Sequence, residues 1–111
     1  MLLNYPYTNY KIDSMEPKNT VLLFKDKQIR ILLAILKQEK QPYISDLAKI
    51  TGVTYVHTSR FLSSCEKLGL ISYERHGKIK TIFLTPKGKE ITLQIQSIIE
   101  KLKIEEKKSN N

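Results

Sequence analysis

The side chains best suited to contact another molecule lie on one face of a predicted helix over residues 55–68. At 100° per residue this face carries short or basic side chains and no carboxylate. Its members are Val56, Ser59, Arg60, Ser63 and Lys67, with His57 and Ser64 on its flank. Short side chains let a helix approach a groove closely, Val56 could contact a thymine methyl, and Arg60 can hold a guanine edge or a phosphate. For the helix taken alone, a merely solvated polar surface remains an alternative.

A second group of basic side chains follows in a predicted β-hairpin. Gly77 lies in the turn, Glu74 is the one acid near the tip, and the potential cations are Arg75, His76, Lys78 and Lys80. A charged hairpin tip is often only solvated. Beside a polar helix face, however, four cations are better explained as a clamp on phosphates or in a minor groove. The whole chain agrees, because its net charge of +8 and its sequence pI of about 9.6 favour a polyanionic partner.

Hydrophobic periodicity predicts the helices that hold these residues in place. A first helix, capped by Asp26, runs to about Glu39. Its predicted core stripe is Ile29, Leu32, Leu33 and Leu36, widened by Ile31 and Ile35. A second helix starts after Pro42 and ends at Gly52, where a left-handed residue is least costly, and Thr54 then caps the third helix. The predicted core positions of these two helices are Ile44, Leu47, Ala48, Thr58, Phe61, Leu62 and Cys65.

The remaining elements are two strands and a long last helix. The strands are predicted over residues 70–73 and 79–84. Their inward residues are Ile71, Ile82 and Leu84. Thr85 caps the last helix and Pro86 occupies its first position. A seam with 4-3-4 spacing follows, formed by Ile91, Ile95, Ile98 and Leu102. We expect this seam to join two copies of the chain as a homodimer; the alternative is a monomer whose last helix folds back on its first.

Composition argues against several other classes of protein. A chain of 111 residues with 41% hydrophobic residues suits one modest domain, and no apolar run approaches the roughly 18 residues that span a bilayer. The N-terminus lacks the features of a signal peptide and Cys65 stands alone, which predicts a cytoplasmic protein without membrane association. His57 and His76 show no metal-ligand spacing, and neither a carboxylate pair nor a glycine-rich phosphate loop is present. We therefore expect no enzyme activity, no metal and no cofactor, and the sequence identifies no effector ligand.

Three segments, taken in order, resemble a known family. They read ISDLAKITGVT from Ile44, EKLGLI from Glu66 and LTPKGKEI from Leu84. Together they resemble the winged helix-turn-helix of small bacterial and archaeal transcription regulators, broadly the multiple-antibiotic-resistance (MarR) type. The resemblance covers about half of the chain and implies an α+β, mainly α fold with a three-helix core and a β-hairpin wing. The plan of one winged domain plus one long C-terminal helix also resembles small archaeal DNA-binding proteins that dimerise through an antiparallel coiled coil. The chain departs from the MarR pattern in being shorter and in carrying RHGKIK where the acid-and-arginine wing signature is expected.

The resemblance also implies which residues approach DNA. The recognition helix would enter the major groove from Thr54 to Arg60, which adds Thr54 and Tyr55 to the candidate contacts, and the wing would run from Arg75 to Lys80. The implied function is a transcription regulator that binds double-stranded DNA as a homodimer. Two alternatives remain: an architectural nucleoid protein with little sequence preference, and a winged module used only for protein contacts.

The predicted domain organisation has three parts. Residues 1–19 form a loosely ordered segment, whose tyrosines could instead pack on a partner subunit. Residues 20–88 form the winged DNA-binding domain, and residues 89–108 form the dimerisation helix.

Overall fold

The structure is a computed structural model that describes residues 25–110, with side chains as far as Lys103. Its elements in chain order are α1 (Asp26–Lys37), α2 (Ile44–Thr51), α3 (Tyr55–Lys67), β1 (Ile71–His76), β2 (Ile79–Leu84) and α4 (Pro86–Asn110). This order confirms the predicted α+β, mainly α architecture of three core helices, a hairpin wing and a long last helix. The boundary predicted between residues 88 and 89 falls within α4. The segment predicted to be loose, residues 1–19, lies outside the described residues.

Helix α1 starts and ends differently from the prediction. Lys25 is its N-cap and Asp26 is its first helical residue, so the predicted cap at Asp26 is wrong. The Asp26 carboxylate instead accepts a hydrogen bond from Arg30 Nη2 at 2.8 Å, and as an acid in the first turn it still favours the helix dipole. The helix ends at Lys37 rather than at Glu39.

The buried face of α1 is rotated from the predicted stripe. The buried apolar residues are Ile31, Leu32, Ala34 and Ile35, whereas Ile29, Leu33 and Leu36 are half-buried. Helix α1 contacts α2, β2 and α4, so its core face is the one that these elements cover together. Periodicity in an isolated helix that is apolar on more than one side does not identify the centre of that face.

The connection between α2 and α3 follows the prediction. Gly52 adopts a left-handed conformation with φ of 75°, and its N–H donates to the Ala48 carbonyl at 2.9 Å. Thr54 caps α3, because its Oγ1 accepts from the His57 N–H at 3.2 Å. All four predicted core residues of α3 are buried: Thr58, Phe61, Leu62 and Cys65. Their burial leaves the polar side of α3 directed away from the core.

Strands β1 and β2 form an antiparallel hairpin whose two-residue turn is Gly77 and Lys78. Gly77 has φ of 70°, the positive value that favoured two-residue hairpin turns need. Strand β1 continues to His76, beyond the end predicted at Tyr73, so Arg75 lies on a paired strand and not in a loop. Of the predicted inward residues, Ile71 and Ile82 are buried and Leu84 is half-buried.

A backbone hydrogen bond ties the hairpin to the helical core. The Ile82 N–H donates to the Pro42 carbonyl at 2.9 Å, which places β2 beside the segment that leads into α2. The Thr81 hydroxyl reinforces this contact by donating to Gln41 Oε1 at 2.7 Å. The hairpin is thereby held next to the N-terminal ends of α2 and α3.

Candidate nucleic-acid interface

The outer face of α3 presents the polar residues that the sequence singled out. Exposed side chains on this face and at its start are Thr54, Tyr55, Val56, Arg60, Ser63 and Lys67, with Ser59 half-buried. The hydroxyl of Thr54 is engaged in the cap, and Ser64 Oγ donates to the Arg60 carbonyl at 3.3 Å. The Arg60 guanidinium has no hydrogen bond or ion pair to any described residue. No described residue therefore occupies its donors.

His57 is placed differently from its neighbours on this face. It is half-buried, and its Nε2 lies 3.4 Å from Nε2 of Gln28, a buried polar side chain on α1. Since the ring already has a protein partner, His57 is less free to contact a ligand than Arg60. Gln28 escaped the sequence interpretation because a single glutamine within an apolar helix gives no signal of its contacts.

Two cations of the wing lie directly opposite each other. Arg75 on β1 pairs in register with Lys80 on β2, so both side chains project from the same face of the hairpin. This is also the face that carries Ile71 and Ile82 into the core. Like charges directly opposite each other destabilise a hairpin, and neither residue forms a salt bridge within the described part of the chain. A bound anion would remove this repulsion.

Lys80 also contacts an aromatic ring of the same hairpin. Its Nζ lies 4.0 Å from the centroid of Tyr73, a cation–π arrangement that holds the ammonium group in place. Burial, followed by the negative charge of Glu66, raises the pKa of Tyr73, so this ring stays neutral at physiological pH. The basic face of the wing is therefore partly preorganised.

The other two wing residues have different surroundings. His76 projects from the opposite face of the hairpin, where its Nε2 lies 3.3 Å from Thr81 Oγ1. Lys78 is exposed in the turn. The four predicted wing residues thus form no single cluster: Arg75 and Lys80 share one face, and His76 belongs to the other.

An open cleft joins the hairpin to the starts of α2 and α3. Its volume is about 420 Å³, and it is lined by Tyr43, Ile44, Ser45, Tyr55, Lys78, Ile79 and Lys80. This surface, named here the hairpin cleft, brings Tyr55 of α3 together with two lysines of the wing. No carboxylate stands among its described lining residues. The sequence did not identify Tyr43, Ser45 or Ile79, because their proximity depends on how β2 packs beside residues 41–43.

Residues 85–88, Thr-Pro-Lys-Gly, connect the end of the wing to the end of α3 through hydrogen bonds. Thr85 Oγ1 donates to the Gly69 carbonyl at 2.6 Å and accepts from the Gly88 N–H at 3.0 Å, which confirms Thr85 as the cap of α4. Lys87 Nζ donates to the Leu68 carbonyl at 3.0 Å. A Cβ on Gly88 would lie 1.9 Å from the Leu70 carbonyl oxygen, so the close approach requires glycine. These contacts fix the angle between α3, the hairpin and α4.

The four residues of the predicted dimer seam divide into two pairs. Ile95 is buried in the core of its own chain and Ile91 packs against that core, whereas Ile98 and Leu102 are 53% and 61% exposed. All four follow one stripe of α4. The domain covers the N-terminal part of the stripe and leaves its continuation open, so the apolar surface available to a second chain centres on Ile98 and Leu102.

Cys65 is buried and unreactive. Burial raises the pKa of the Cys65 thiol to about 12, so the thiol stays protonated at neutral pH and packs as a small apolar residue. Within residues 25–103, no group of three or more His, Cys, Asp or Glu side chains could hold a metal ion. No helix in the described part of the chain is long and apolar enough to cross a membrane.

The architecture defines the class of protein: a winged helix-turn-helix. No protein-family model matches the chain. An uncharacterized protein from Archaeoglobus fulgidus is 32% identical in an alignment of 89 residues that covers 78% of this chain and 94% of that protein. The chain therefore belongs to the same family as this archaeal protein.

Solved structures give the same fold. AF1382 from Archaeoglobus fulgidus superposes with a TM-score of 0.68 at 30% identity, over 74% of this chain and 93% of its own. MepR, a transcription regulator of the Staphylococcus aureus multidrug efflux pump MepA, has a TM-score of 0.70 at 22% identity, over 95% of this chain and 83% of its own. These likenesses confirm the winged helix fold and are consistent with the MarR-type resemblance of the sequence.

Proposed function

We propose that this protein is a transcription regulator that binds double-stranded DNA in the cytoplasm as a homodimer. Helix α3 enters the major groove, where Arg60 and its neighbours contact base edges, and the hairpin wing binds the adjacent phosphates or minor groove. The proposal extends to this chain the role that the name of MepR gives to that protein.

The observation that carries the proposal is the position of the wing beside the recognition helix. The hairpin cleft places Lys78 and Lys80 next to Tyr55, and Arg75 faces Lys80 across the hairpin. A fold used only for protein contacts has no need of two opposed cations, whose repulsion an anion relieves. The absence of carboxylates from the cleft lining gives the surface the charge that a phosphate backbone requires.

The dependence of DNA affinity on salt tests the electrostatic part of the proposal. Residues 53–88 contain six basic residues, and one of them, Lys87, is already bound to a carbonyl. Arg60 is assigned to base edges; if the remaining four each neutralise a phosphate, log affinity should fall against log salt concentration with a slope of about −3.6 per subunit. Fluorescence anisotropy of a labelled random duplex between low and moderate salt measures this slope. An affinity that stays flat over this range would contradict duplex binding through phosphates.

Selection of bound fragments from the source genome separates a regulator from an architectural protein. A regulator should enrich a shared, two-fold symmetric site and bind it roughly a thousandfold or more tightly than random DNA. Enrichment of no common site, with equal affinity for selected and random fragments, would favour the architectural alternative.

A further inference from the structure

Large apolar side chains are exposed together in the hairpin cleft. Tyr43, Tyr55 and Ile79 are 43%, 55% and 51% exposed. They lie beside Lys78 and Lys80, so the cleft combines apolar and aromatic surfaces with positive charge. Its volume of about 420 Å³ is within the range of about 300–1,000 Å³ that is usual for sites binding small organic groups.

We propose that the hairpin cleft binds an unpaired segment of a DNA strand. An unpaired nucleotide offers a bare base face, which stacks on tyrosine rings and packs against aliphatic side chains, and a phosphate, which pairs with lysine. A paired strand offers this cleft only sugar and phosphate, because its base faces are stacked inside the duplex. The two tyrosines and Ile79 therefore fit a single strand better than a duplex backbone.

The position of the cleft connects this binding to the duplex interface. Tyr55 stands at the start of the recognition helix, and the two lysines belong to the wing. Tyr55 therefore connects the cleft to the groove that α3 is proposed to enter. The inference thus rests on the proposed function and assigns a preference to the same face: DNA in which a duplex adjoins an unpaired stretch.

Equilibrium binding of a short fluorescein-labelled oligothymidylate tests the inference, with a random duplex measured in parallel. The informative variant is Tyr43→Leu combined with Ile79→Ser, since these uncharged side chains line the cleft but supply none of the cations proposed to hold duplex phosphates. Loss of base stacking should lower the affinity for the single strand roughly tenfold and change the affinity for the duplex less than about twofold. Tyr43→Phe keeps the ring and is the matched control, which should bind the single strand like the parent protein. Thermal unfolding of each variant checks that the fold is retained.

Other binding results would contradict either the inference or the proposed function. If the parent protein binds the duplex but not oligothymidylate, the inference is overturned while the proposed function stands. If it binds neither, the proposed function itself fails. If the double variant loses both affinities to the same extent, or keeps the single-strand affinity of the parent protein, the cleft does not stack bases and the inference is wrong.

Discussion

Replacement of Arg75 by glutamine should have opposite effects on folding and on DNA binding. Arg75 is exposed and faces Lys80 in register across the hairpin, and neither forms a salt bridge with a described residue. Opposed like charges cost a hairpin about 0.2–1 kcal/mol. Arg75→Gln removes this repulsion and leaves the contact of Lys80 with Tyr73 intact. The free energy of unfolding should therefore rise by a few tenths of a kcal/mol, and Tm by about 1–5 °C.

The same substitution should weaken DNA binding on every sequence. Loss of one phosphate contact makes the salt slope shallower by about 0.9 per subunit, which at 0.15 M salt corresponds to roughly a fivefold loss of affinity. Thermal unfolding followed by circular dichroism and anisotropy titrations at several salt concentrations measure the two effects. A general disturbance of the hairpin would lower both stability and DNA affinity. It therefore cannot produce a rise in stability together with a loss of affinity.

Lys101→Gln is the matched control for net charge. Lys101 is exposed on α4, and its replacement removes the same unit of charge outside the proposed DNA contacts. If it changed the salt slope as much as Arg75→Gln does, the effect of Arg75 would be that of total charge and not of a contact. A destabilised Arg75→Gln protein with unchanged DNA affinity would refute the reasoning altogether and make Arg75 a structural residue.

Three other variants test the recognition helix, the dimer and the wing junction. Arg60→Ala should weaken the selected site by about 1–3 kcal/mol and random DNA much less; equal losses in the anisotropy titrations would make Arg60 a phosphate contact. Ile98→Glu with Leu102→Glu should convert a dimer into a monomer near 12.9 kDa in light scattering, and a dimeric mass that survives would place the interface elsewhere. Gly88→Ala should destabilise the fold by about 2 kcal/mol, the upper end of an over-packing cost less the helix preference of alanine, because its Cβ meets the backbone of Leu70. A Tm within a few degrees of the parent would show that α4 shifts without cost.

Local signals in the sequence were sufficient to predict those helix ends whose contacts lie within a few residues of the chain. Gly52 and Thr54 were predicted as the end of one helix and the cap of the next, and both roles are confirmed. Thr85 and Pro86 were likewise predicted at the start of α4. These positions involve backbone conformation and hydrogen bonds within a few residues of the chain. The predicted cap at Asp26 was wrong by one position, because the N-cap is Lys25, and helix boundaries are commonly uncertain by this much.

Contacts between segments that are far apart in the chain could not be predicted from the sequence. The centre of the buried face of α1 depends on where α2, β2 and α4 come to lie, and of the four residues in the predicted stripe only Leu32 is fully buried. The inward position of His57 depends on Gln28, 29 residues earlier in the chain. The hairpin cleft depends on the bond from Ile82 to the Pro42 carbonyl, which sets the distance between the wing and the helices.

The sequence by itself therefore determined the kind and order of the elements, the outward face of α3 and the basic character of the wing. Side-chain periodicity, caps and charge are properties of short segments, and they survive in any arrangement that buries the apolar faces. Only the tertiary structure decided that Arg75 opposes Lys80, that Tyr43 and Ile79 meet in one cleft, and that Ile95 joins the core while Ile98 stays exposed. Each of these facts depends on strand register or on how far the domain covers a helix, which long-range packing fixes.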